Sequence, residues 1–176
     1  MTASGPLKTS FVTPLDQAWD SDLEGLGTHR YEGGCWYKWV NYIGGTAAVD
    51  GVDGDAVFYV DDTGYAADQV EQDLTDLTGD PIPAGTLQCA IDISTFTAGA
   101  YCWIKIKGPE TLAIAIESSN DASPVAADDG DPLVYGDADG ALRRQNTVID
   151  AAGERVWLAG VAVDASAKEI ILDCPW

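Results

Sequence analysis

The chain is predicted to be all-β: a compact β-barrel or β-sandwich built from two related β-units, with an extended N-terminal arm. Three observations predict this. Between Thr97 and Glu117 apolar and polar residues alternate with the period of a half-buried strand. A frame of Gly-Asp, then Tyr, Asp, Gly and Gln at fixed offsets occurs twice, 76 positions apart. Before residue 31, isolated hydrophobes are scattered with neither helical nor strand periodicity.

The arm, residues 1–30, carries Leu7, Phe11, Leu15, Trp19, Leu23 and Leu26 between Gly5, Pro6, Pro14, Gly25 and Gly27. Spaced hydrophobes of this kind suit anchors, either on another subunit or folded back on the arm's own domain. The β domain then spans 31–176, with related halves at about 33–107 and 108–176. Cys35 to Ile43 is aromatic and β-branched, apolar on both faces, and stops at Gly44-Gly45, which predicts a strand. Ala56 to Val60 predicts another, followed by an acidic turn at Asp61–Gly64. Val70, Leu74 and Leu77 fall at helical spacing and predict one short helix within 66–77. Pro81, Pro83 and Gly85 close that connection, and Thr86 to Ile93 predicts the next strand.

In the alternating stretch, Cys102, Ile104 and Ile106 take one side and Tyr101, Trp103, Lys105 and Lys107 the other. Gly108-Pro109-Glu110 reads as a turn, and Leu112, Ile114 and Ile116 as the returning strand of a hairpin. The repeat pairs Asp53, Gly54, Asp55 and Tyr59 with Asp129, Gly130, Asp131 and Tyr135. Each unit would enter a strand through Gly-Asp and leave it through Asp-x-x-Gly, residues that favour turns on backbone grounds. Cys89–Ser94 resembles Val161–Ser166 at a slightly shorter spacing, and strands over 155–163 and 169–174 complete the domain.

Composition narrows function. A chain of 176 residues is long enough to bury about 68–70% of its unfolded surface. Cys35, Cys89, Cys102 and Cys174 lack zinc or CxxC spacing and read as buried small hydrophobes of a reducing compartment, with a Cys35–Cys174 or Cys89–Cys102 bridge left open. A formal charge of -20 argues against nucleic acid as a partner. No stretch approaches the roughly 20 apolar residues of a membrane span, nor has the N-terminus an apolar core of signal-peptide length. The expectation is a soluble chain with no membrane partner, not exported by a signal-peptide route.

No cofactor, metal or catalytic residue is expected. His29 is the only histidine, with no nucleophile motif around it. Asp50–Asp55, Asp128–Asp131 and Asp137–Gly140 space carboxylates as calcium loops do, but none reaches a glutamate at the twelfth position, and acidic turns use the same residues. Trp36, Tyr37, Trp39, Tyr42, Tyr101 and Trp103 suit a core or an interface, or a platform for sugars. Lys105 and Lys107 beside Tyr101 and Trp103 are a local basic spot suited to a polar-rimmed contact.

In combination, Leu26-Gly27-Thr28, Tyr37–Asn41, Val52–Tyr59, Ala98–Ile104, Ala127–Val134 and Gly160–Ala165 resemble, in their order, the decoration or cement proteins of tailed-phage heads. The resemblance implies a β domain bound outside an assembled shell, across neighbouring capsomers, without chemistry. The partner would be the major capsid protein, with a homo-oligomer or neighbouring copies on the shell, and the location the virion surface. Leu7, Phe11, Leu15, Trp19, Leu23, Tyr101, Trp103, Lys105 and Trp176 are the candidate interface residues. A tail or head-fibre component and a carbohydrate-binding β-sandwich are the alternatives.

Overall fold

The structure, a computed structural model, describes residues 11–60, 67–74, 81–96, 98–119, 123–145 and 157–174. Its strands are β1 (His29–Glu32), β2 (Cys35–Tyr42), β3 (Ala56–Tyr59), β4 (Gln69–Glu71), β5 (Pro83–Leu87), β6 (Ala100–Thr111), β7 (Pro132–Tyr135), β8 (Leu142–Arg144), β9 (Gly160–Asp164) and β10 (Glu169–Asp173). They hydrogen-bond in the order β1-β2-β4-β3-β5-β6-β10-β9-β7-β8, and β2 also pairs with β6. That extra pairing closes β2, β4, β3, β5 and β6 into a five-stranded barrel, so the all-β prediction holds and the architecture is a barrel with further strands.

Alternation along each strand sorts the cores. Val40, Tyr42, Val57, Tyr59, Val70, Leu87, Cys102, Ile104 and Ile106 fill the barrel. On its outside, Cys35, Tyr37, Trp39 and Trp103 form a second cluster. Ala56 and Phe58 leave β3 in the opposite direction from Val57 and Tyr59 and join Leu133, Leu142, Ala162, Ile170 and Leu172 under the sheet of β7–β10. The two-sided apolarity of β2 and β3 follows: each has a core on both faces. All four cysteines are buried free thiols.

The repeat is structural as well as sequential. The order β4-β3-β5-β6 recurs as β8-β7-β9-β10, and the last strands of the two units pair antiparallel with each other. The entry turns match atom for atom. Gly54 and Gly130 share φ of 89°, and Asp55 and Asp131 each accept the N–H three residues back, from Val52 and Asp128, at 2.8 Å. Gly54 N–H bonds Leu87 O while Leu87 N–H bonds Asp55 O; Gly130, Ala162 and Asp131 repeat this exchange. Ser94 donates to Asp92 as Ser166 does to Asp164.

Three expected elements differ. The hairpin at Gly108-Pro109-Glu110 does not form, because β6 runs through it to Thr111. Gly108 takes φ of 120°, which lets the strand bend past Cys35 and exchange one set of partners for another. Up to Lys107 β6 pairs with β2; from Lys107 to Thr111 it pairs with β10. The returning strand is reduced to one parallel bridge, Glu117 to Arg143, in the place that β2 holds beside β4. Leu112 and Ala113 instead bond Lys168 O and Gly54 O, which ties them to the seam between the units. The helix expected within 66–77 is not formed around Val70, which lies in β4 fully buried in the barrel, and Leu74 is in a turn; 66 and 75–77 fall outside the described residues. Finally, β5 begins and ends earlier than the strand expected over 86–93, and Ile93–Thr95 is a 3-10 turn capped by Asp92.

Candidate docking face

Of the predicted interface residues, Phe11, Leu15 and Trp19 of the arm face inward. Phe11 meets Trp103 edge-on with centroids 5.4 Å apart, and Trp103 meets Trp39 at 5.2 Å. Trp103 Nε1 donates to Thr13 Oγ1 at 2.8 Å. Buried Glu24 gathers the N–H groups of Val12 and Thr13 and the Thr13 hydroxyl on one oxygen, each at 2.8 Å. Trp19 and Tyr101 exchange both backbone hydrogen bonds, and Arg30 lies over the rings of Phe11 and Trp103 while donating to Thr13 O. Residues 11–28 therefore clasp their own barrel, and Phe11, Leu15 and Trp19 cover the tryptophan cluster.

Trp103 is fully buried, so its indole cannot contact another molecule directly. Trp39 and Tyr42 are fully buried too, which removes the centre of any sugar platform. Tyr101 is half-buried beside Trp19, and Leu23 is exposed. Leu7 and Trp176 lie outside the described residues.

The expected basic spot is neutralised. Lys105 pairs with Glu110 at 2.8 Å and Lys107 with Asp173 at 2.7 Å. Glu110 also receives the Thr86 hydroxyl and the Gln88 amide, which makes the outside of β5 and β6 a satisfied polar lattice. The acidic runs act as turn acceptors: Asp50 takes Ile93 N–H, Asp139 takes Leu74 N–H, and Asp137 pairs with Arg143. At one end of the barrel, buried Lys38 bonds Tyr59 Oη at 2.9 Å and Asp68 at 2.6 Å. Burial, then the Lys38 charge, hold neighbouring His29 below its ordinary 6.5. No described residues form a group of three or more metal-ligating side chains.

The face that sequence reasoning missed is the outside of β9 and β10. Val161, Val163 and Ile171 are 42%, 48% and 44% exposed. Register sets Ile171 between Pro109 and Val161, and Val161 beside Pro132, so one apolar row crosses β6, β10, β9 and β7. A shallow groove of about 430 Å³ follows the β6–β10 seam, lined among others by Pro109, Thr111, Val163, Glu169 and Ile171. The signal was present in the sequence: Ala162, Ile170 and Leu172 already supply the core, leaving their apolar neighbours on the opposite side.

No family model, curated protein or solved structure matches the chain. What this arrangement offers is binding: a rigid sheet with its inner side packed and an apolar row on its outer side. Isolated exposed hydrophobes are ordinary, whereas large contiguous exposed patches are associated with interaction sites.

Proposed function

We propose that the protein is a non-enzymatic structural component that attaches to the outside of an assembled protein shell and stabilises it across neighbouring subunits, as virion decoration proteins do. The observation carrying this reading is the row of exposed Pro109, Ile171 and Val161 with half-buried Pro132 across four hydrogen-bonded strands. Such a surface is pre-ordered, so docking costs little conformational entropy. Repetition around a symmetric shell would convert modest contacts into lasting attachment. The resemblance in element order supplies the shell as partner, and the charge of -20 keeps unbound copies soluble and apart.

The test is cosedimentation of the purified chain with empty phage-type shells, followed by heating. Saturable binding and a raised shell melting temperature are expected. A chain that stays in the supernatant at every concentration, or binds tails and fibres but not shells, overturns the reading.

A further inference from the structure

We propose that the outer face of β9 and β10 is the docking surface, and that its occupant is a shell-protein patch with an apolar centre and a basic rim. The partner in this inference rests on the decoration reading; the choice of face rests on the fold's own duplication. The two units place equivalent residues on equivalent outer positions. Because Leu87 matches Ala162 through the shared turn, Thr86 of β5 and Gln88 just past its end stand where Val161 and Val163 stand in β9. Leu87 pairs with Ile104, and Ala162 with Ile170, so Lys105 stands where Ile171 stands.

The two units thus finish the same positions differently. In the first, fully buried Thr86 and half-buried Gln88 and Lys105 are tied together through Glu110. The second leaves two valines and an isoleucine in water at the same positions. Strand-forming propensity does not require this, since threonine is also β-branched and would serve on a solvated face.

Charge selects the occupant. Among the described basic side chains around the row, Lys105 pairs with Glu110, Lys107 with Asp173 and Arg144 with Asp131, while Lys168 in the β9–β10 turn is drawn inward to donate to Ala113 O. Exposed Glu169 on β10, and Asp128 and Asp129 in the turn that clamps β9, leave the rim negative. A second copy would bring the same acidic rim and another -20 charges to the contact. A basic-rimmed partner meets both the row and its border.

The test transplants one surface onto the other: Val161→Thr, Val163→Gln and Ile171→Lys together, in the full chain. Far-ultraviolet circular dichroism and melting show that the variant is folded; should it fail to fold, the single variants Val161→Thr and Glu169→Lys replace it. Shell binding by the triple variant is expected to weaken at least about tenfold, and by Glu169→Lys more at low salt than at high salt. Wild type binding shells with the folded variant binding equally well overturns the face while leaving decoration standing. Wild type ignoring shells overturns both. Sedimentation velocity adds a third arm: a wild-type dimer that the triple variant abolishes would make the occupant a second copy and overturn the basic-rim partner.

Discussion

Glu24→Ala should unfasten the N-terminal clasp. One carboxylate oxygen receives Val12 N–H, Thr13 N–H and Thr13 Oγ1, each at 2.8 Å. Thr13 is buried, so its N–H would be orphaned at about 1–3 kcal/mol. Val12 is 75% exposed and its N–H can turn to water, while the Thr13 hydroxyl keeps its contact with Trp103. Loss of those two charge-assisted bonds adds about 1 kcal/mol in all, for a total of about 3 kcal/mol. For a chain of this length that corresponds to a melting decrease of roughly 6–12 °C. Urea unfolding followed by tryptophan fluorescence gives the free energy, with Leu23→Ala, at an exposed neighbour, as reference. Acrylamide should also reach Trp39 and Trp103 in the folded variant, since their cover depends on Phe11 and Leu15 remaining in place. A loss below about 0.5 kcal/mol with unchanged quenching would refute the clasp as a stabilising element.

Three further outcomes follow from the geometry. Gly54→Ala should cost more than Gly130→Ala, although both glycines have φ of 89°: a Cβ at Gly54 would lie 2.7 Å from Thr111 O, whereas one at Gly130 meets nothing within 4 Å. Backbone strain alone predicts about 1–2 kcal/mol at Gly130, and parallel melts of the two variants give the difference. Lys38→Met should cost about 3 kcal/mol by leaving Asp68 and the Tyr59 hydroxyl without it, and Asp68→Asn in the same chain should restore part of the loss in a double-mutant cycle. His29 is held below 6.5 in the fold, so the unfolded chain takes its proton first and stability falls as pH drops through 6.5. Asp55, raised above 3.8 chiefly by burial, acts in the opposite sense and only nearer its own range. Urea titrations between about pH 7.5 and 5.5 should therefore show a decline that His29→Asn removes.

The local features were legible in the sequence and the long-range ones were not. Alternation from Tyr101 to Lys107 places Cys102, Ile104 and Ile106 in the barrel, as read, because period two is a property of the strand itself. Cys35–Tyr42 was equally plain. Gly108-Pro109 misled because its ordinary meaning is a turn; the partner that keeps it extended, β10, lies some sixty residues downstream. Val70 and Leu74 match a helical spacing by accident, and barrel closure decides for strand. The duplicated Gly-Asp turn was visible, but not that the second unit's counterpart of β2 shrinks to Glu117. Among candidate interface residues, Trp103 stands beside Lys105 and Lys107 as in a polar-rimmed contact, but an aromatic in a strand suits a core equally well. Val161 and Ile171 were passed over because short β-branched residues in a strand attract no notice until their burial is known.

β6 is common property of the two bodies: twelve consecutive residues form first the barrel's wall and then the edge of the neighbouring sheet. A cut between residues 107 and 108 would sever both rather than release either as an autonomous fragment. A pull on the outer sheet passes into the barrel along covalent backbone, and a molecule joined in this way yields as a single piece.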